Sequence, residues 1–164
     1  MDNIILIGMP SCGKSTLGRI LAKELHYGYV DTDDVIIRRN GCPLRDILDR
    51  EGVDGFVLRE EEAICSVTAH HTVIATGGSA VYSEKAMAHL KAMGKVVYLR
   101  LTFNEVERRL GDLHARGVAI APGSTLLDLF NERVPLYEKY ADLTVDIRDG
   151  NSVRQSVAAL LQQL

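Results

Sequence analysis

The sequence predicts an α/β fold of the doubly wound class, a five-stranded parallel sheet flanked by helices. Five short apolar runs rich in β-branched residues recur along the chain, and helical patterns separate them. The runs are near-continuously apolar and do not alternate, as expected of strands buried on both faces. The 164 residues, 46% of them apolar, are enough for one continuous core, so a single domain is expected over 1–164.

The predicted strands are Asn3 to Gly8, Tyr29 to Asp33, Thr72 to Thr76, Lys95 to Leu101 and Leu143 to Ile147. Between the first two, Lys14 to Leu25 carries Leu17, Ile20, Leu21 and Leu25 at helical spacing, and Gly28 is expected to stop the helix. Leu44, Ile47 and Leu48 predict a short amphipathic turn, followed by a longer helix from about Gly55 to Ala69. Asn104, with Glu107 three residues on, predicts a capped helix over Glu105 to Leu113. Further helices are expected over Leu126 to Tyr140 and Val153 to Leu161. The stretch from His114 to Thr125 contains Gly117, Pro122 and Gly123 without a period, and is expected to be a mobile loop.

Composition excludes several classes of partner. A net charge of -3 offers no basic stripe for a polynucleotide, so no nucleic-acid ligand is expected. No apolar run approaches the roughly 20 residues that a membrane span needs, and the chain opens directly into its first strand without a basic leader. Cys12, Cys42 and Cys65 are widely spaced and odd in number, which suits neither a zinc site nor a disulfide scaffold. A cytoplasmic monomer is expected.

Gly8-Met9-Pro10-Ser11-Cys12-Gly13-Lys14-Ser15 matches G-x-x-x-x-G-K-S/T, directly after a strand and directly before a helix. Glycines let successive amides turn inward as an anion nest, and the helix N-terminus adds the positive end of its dipole. ATP is the expected ligand, with Gly8, Ser11, Cys12, Gly13, Lys14, Ser15 and Thr16 around its phosphates, Lys14 on the β- and γ-phosphates and Ser15 offering a hydroxyl to Mg²⁺. Cys12 is either a small residue that suits a tight turn or a thiol open to redox chemistry. The second strand ends in Asp31-Thr32-Asp33, so both carboxylates leave one strand end on the same side, at the edge where open α/β sheets bind ligands. One carboxylate can hold Mg²⁺ while the other approaches an acceptor hydroxyl as base. The competing role for Asp33 or Asp34 is to cap the next helix.

With these residues in place the chain resembles the shikimate kinases. The similarity rests on Gly8 to Thr16, Asp31-Thr32-Asp33, Phe56 with Glu60, Ala75-Thr76-Gly77-Gly78, Val96-Val97-Tyr98-Leu99 and Arg133-Val134-Pro135-Leu136-Tyr137 near Ala141-Asp142. The resemblance implies a sheet in order 2-3-1-4-5, acceptor-binding helices over about 34–69 and a lid over about 112–125. It implies transfer of the γ-phosphoryl group of ATP to the 3-hydroxyl of shikimate. By position it assigns Ser15 and Asp31 to Mg²⁺, Asp33 to the reacting hydroxyl, Glu60, Gly77, Gly78 and Arg133 to the acceptor, Arg109 to adenine, and Arg116 to a lid arginine over the phosphates. The alternative for each arginine is a solvated surface charge.

The chain also departs from the pattern. Val57 stands where the family has a carboxylate-gripping arginine, Ser79 replaces a third glycine, Arg116-Gly117-Val118 alters the lid, and Ser152 stands in place of a proline. Arg59 lies about 200° around a helix from position 57, so it does not substitute there without a register change. Nucleotide-handling residues are better kept than acceptor-handling ones. Two alternatives therefore stay open: a kinase of another small hydroxylated metabolite with a remodelled pocket, and a nucleotide-binding protein without transfer activity. The region from Asp34 to Ala69 is too poor in arginine to favour a nucleoside monophosphate as acceptor.

Overall fold

The computed structural model describes residues 2–110, 117–148 and 150–164. Five parallel strands, β1 (Asn3–Ile7), β2 (Gly28–Asp31), β3 (Thr72–Ala75), β4 (Gly94–Arg100) and β5 (Leu143–Asp146), form one sheet in the order β2-β3-β1-β4-β5. The strand order is the expected one. Every residue of β1 and β3 is buried, which explains why these runs carry no polar alternation. Leu6 and Asp31 both pair with Ala75, so the three strand ends stand level. The chain beyond each therefore emerges side by side at one edge, and that edge carries the site.

The helices are α1 (Lys14–Leu25), α2 (Thr32–Asn40), α3 (Leu44–Cys65), α4 (Glu84–Met93), α5 (Phe103–Arg109), α6 (Leu126–Tyr140) and α7 (Val153–Gln163), with a short 3-10 turn at Ala80–Tyr82. On the sheet, α1 packs over β1, β2 and β3 and meets α7, while α4 and α6 pack on β4 and α3 packs on α4. Ile5, Leu6, Leu21, Leu90, Val96 and Leu99 are fully buried between these layers. A smaller cluster of Ile36, Ile47, Phe56, Ala63 and Ala119 holds α2 and α3 together beside the strand ends.

Several elements differ from expectation. Helix α1 ends at His26, left-handed at φ 58°, whose amide bonds back to the last turn, and Gly28 instead opens β2. Asp31, not Asp33 or Asp34, caps α2 by accepting from the Asp33 amide at 2.9 Å. The predicted short turn and longer helix merge into α3 across a break at Gly52 (φ 71°), and α3 ends at Cys65, before Ala69. Helix α5 starts at a Thr102 cap on the Glu105 amide, two residues before the Asn104–Glu107 pair that predicted its start. The last three residues of that predicted helix, and Arg116, lie outside the described residues. Among the described residues no helix is long and apolar enough to cross a membrane.

Candidate active site

The loop between β1 and α1 is shaped by its glycines. Gly8 has φ 151°, and a side chain there would meet the Leu99 carbonyl oxygen at 2.7 Å and Cys12 Sγ at 3.1 Å. Cys12 is thus packed under the turn, 1% exposed. Gly13 brings no side-chain acceptor to the N-terminus of α1, so the first-turn amides face the cleft. The Lys14 ammonium lies on the loop itself, donating to the Gly8 carbonyl at 2.7 Å and the Met9 carbonyl at 2.8 Å. Two neutral acceptors hold it where a phosphate would compete for it.

Beside the loop, Ser15 Oγ donates to Asp31 Oδ2 at 2.8 Å, and Tyr29 OH approaches the same oxygen at 3.4 Å. This hydroxyl and carboxylate fit Mg²⁺, which takes few protein oxygens and keeps water and phosphate oxygens for the rest. No group of three His, Cys, Asp or Glu side chains able to hold a metal occurs among the described residues.

Asp33, two residues on and in the first turn of α2 rather than at the end of β2 as expected, lines a cleft of about 600 Å³ with Lys14, Glu60, Gly77, Gly78 and Arg133. Burial, reinforced by the Asp31 carboxylate, pushes the Asp33 carboxyl up to about 6. Thr32, buried under the strand end, accepts the Gly77 amide at 3.3 Å and so ties the third strand's loop to the second's. A methyl on Gly77 would come within 2.6 Å of Glu60 Oε2 and 2.9 Å of Asp33 Oδ1, and one on Gly78 within 2.8 Å of Arg133 Nη1. These two glycines let the backbone touch the floor of the cleft.

Arg133 is 1% exposed. Its Nε donates to Tyr82 OH at 3.2 Å, its Nη2 to the Ala119 carbonyl at 2.7 Å, and its guanidinium lies 5.2 Å from the centre of the Tyr82 ring. Tyr137, one turn along α6, donates to the Gly78 carbonyl at 2.6 Å and stacks on Tyr98 of β4. Arg109 also lines the cleft, anchored by its Nε to Glu105 at 2.6 Å. One cleft is thus lined by the loop residues Lys14 and Ser15, by Asp33 and by Arg133.

A family model described as shikimate kinase matches residues 10–164. The chain belongs to the shikimate kinase family. Shikimate kinases from Pseudomonas entomophila and Vibrio cholerae are 41% and 37% identical to it, over 100% and 98% of this chain and 96% and 95% of theirs. Among solved structures, the shikimate kinase from Acinetobacter baumannii in complex with shikimate superposes with a TM-score of 0.84 at 30% identity, covering 99% of this chain and 92% of that one. The enzyme from Aquifex aeolicus gives 0.81 at 28% identity, over 98% and 95%. As a member of the shikimate kinase family the chain is a phosphotransferase with an alcohol acceptor and ATP as donor.

Against the shikimate kinase pattern, the residues that depart from it find distinct places. Val57 lines a second cavity of about 330 Å³ next to Tyr82 and Ala119, whereas Glu60, on the same helix, lines the main cleft. Arg59 is turned to the surface, donating to Glu51 at 3.1 Å and to Glu62 at 3.3 Å, and does not replace the absent arginine. Ser79 is buried and donates to Glu60 Oε1 at 2.5 Å. Sequence reasoning missed Tyr82 and Ala119, the clamp on Arg133, because they come from distant segments. It also missed the link from Tyr137 to Gly78, although the four-residue step from Arg133 to Tyr137 signals a shared helix face.

Proposed function

We propose that this chain transfers the γ-phosphoryl group of ATP to the 3-hydroxyl of shikimate, and that the site residues act as follows. Asp33 orients the acceptor hydroxyl and takes its proton as the new O–P bond forms and the bond from the γ-phosphorus to the β,γ-bridging oxygen breaks, leaving ADP. With its carboxyl near 6, Asp33 is mostly ionised at neutral pH and therefore free to accept that proton. Lys14 exchanges the Gly8 and Met9 carbonyls for the β- and γ-phosphates. Gly8, Ser11, Cys12, Gly13 and Thr16 shape the loop around them. Ser15 and Asp31 would hold Mg²⁺, which neutralises phosphate charge when bound.

At the other end Arg133 holds the acceptor carboxylate with its planar fork, and Gly77 and Gly78 let the backbone approach it. Arg109 would lie along the adenine, and for Arg116, outside the described residues, the role is the one the family resemblance implies, a lid arginine over the phosphates in the segment about 112–125. The observation that carries the assignment is that the loop residues Lys14 and Ser15, Asp33 and Arg133 line one cleft. Three free thiols suit a reducing cytoplasm, and a monomer suffices because one chain supplies each of these groups.

The test is ADP release with shikimate, gluconate, homoserine and nucleoside monophosphates in parallel. Turnover with shikimate at a micromolar to millimolar KM is expected. Turnover with another acceptor alone would transfer the assignment to that metabolite, and nucleotide binding without turnover would leave a binding protein.

A further inference from the structure

Glu60 is held unlike Asp33, the other acid that lines the cleft. Its carboxyl stands in the wall of the cleft: Ser79 Oγ donates to Oε1 at 2.5 Å, and Oε2 is buried with no hydrogen-bond partner among the described residues. Oε2 lies under Gly77, where a methyl group would meet it at 2.6 Å and Asp33 Oδ1 at 2.9 Å. A buried carboxylate oxygen in such a place is costly unless a donor meets it or a proton sits on it.

The charged groups that face Glu60 are Asp33 at the start of α2, Lys14 in α1 and Arg133 in α6. Helix α4, which packs along α3, gives its capping Ser83 to Glu61, and the chain ahead of Ala80 gives Ser79. Once phosphates engage Lys14, the acceptor is surrounded by Asp33, Glu60 and Arg133. An ionised Glu60 would set two carboxylates against one guanidinium, and a carboxylate-bearing acceptor would add a third anion. A neutral Glu60 removes that excess and supplies a donor.

We propose that Glu60 receives the acceptor as a neutral carboxylic acid, its Oε1 carbonyl held by Ser79 and its Oε2–H donated to the acceptor's anionic group. Glu60 is then a specificity-determining residue for an anionic acceptor, and Ser79 is a positioning residue. This rests on shikimate being that acceptor. Burial pushes the Glu60 carboxyl up to about 7, against the hydrogen bond from Ser79, which puts loss of this proton in the neutral range.

The experiment is shikimate binding to the full chain with ADP and magnesium, by calorimetry from about pH 5.5 to about pH 8.5, where the shikimate carboxyl is ionised throughout. In the wild-type chain Kd is expected to rise about tenfold per pH unit above about pH 7, with a proton taken up per shikimate bound. Proton uptake is read from buffers of different ionisation enthalpy and needs no variant. Glu60→Gln, a permanent donor, is expected to abolish the slope. Ser79→Ala should move the break upward and weaken binding at low pH about tenfold, with Ser79→Thr restoring both. A flat wild-type profile without proton uptake, or a slope that survives in Glu60→Gln, overturns the proposal alone. Absence of shikimate binding at every pH overturns the acceptor assignment and takes this proposal with it.

Discussion

Asp33 owes its setting to three short segments that no local pattern connects. Its amide is fixed by Asp31, its carboxyl packs beside Gly77, and Lys14 lines the same cleft. Asp33→Asn keeps the shape and removes the base, so kcat is expected to fall by about 10²–10⁴ while nucleotide affinity is retained. Steady-state kinetics paired with ADP calorimetry checks this, and a wild-type kcat would remove Asp33 from the chemistry. The loop residues and Asp31 were legible in the sequence because each lies beside the strand that delivers it. Arg133 was legible only through the family resemblance, since nothing in the spacing of α6 reveals that Tyr82 and the Ala119 carbonyl will bury its guanidinium. The bond from Ser79 to Glu60 was not legible either, because it crosses between a helix and a loop that meet only after the sheet forms.

At the scale of elements, the edge strands β2 and β5 are only partly buried, whereas the central strands β1 and β3 declared themselves through near-continuous apolar runs and α1 and α6 through their spacing. Helix α2 did not, because its charged residues outnumber the two it buries, Thr32 and Ile36. Helix α4 was missed although Ala86, Met87 and Leu90 are buried, since small and flexible side chains make a weak stripe. The start of β4 offers a sharp test of the sheet. A methyl on Gly94 would overlap the Asn3 carbonyl oxygen, and Asn3 is fixed by its side chain to Ala69, Met93 and Thr72. Gly94→Ala is expected to destabilise the chain by about 2 kcal/mol or more. Ser152→Ala, which removes the capping box of α7, should cost about 1 kcal/mol. Urea unfolding of both variants checks the ranking, and equal losses would contradict the tight β1–β4 contact.

For the whole molecule, the acids enclosed in the cleft set a pH dependence of folding opposite to that of the surface. Glu60 and Asp33 have carboxyls raised to about 7 and about 6, so the folded chain binds protons that the unfolded chain has released. Their contribution is complete below about pH 4, the unfolded carboxyl range, and is lost as pH rises to about 7, at up to about 1.4 kcal/mol per unit for each group. Asp146, held down by its hydrogen bonds from Arg100, is exposed and acts only below that window, where its contribution falls away. The ligand-free chain is therefore expected to resist urea better near pH 5 than near pH 8, and Glu60→Gln should flatten the difference. Rising stability across that interval would show that the cleft acids are not buried as described.

The stacked Tyr98 and Tyr137 have a further use. The chain contains no tryptophan and only three phenylalanines, so its six tyrosines dominate the near-ultraviolet spectrum. Tyr137 touches the Gly78 carbonyl and Tyr82 underlies Arg133, which puts two of these chromophores directly at the acceptor end. Occupancy of that end can accordingly be followed by circular dichroism of the native chain, free of any label or engineered probe.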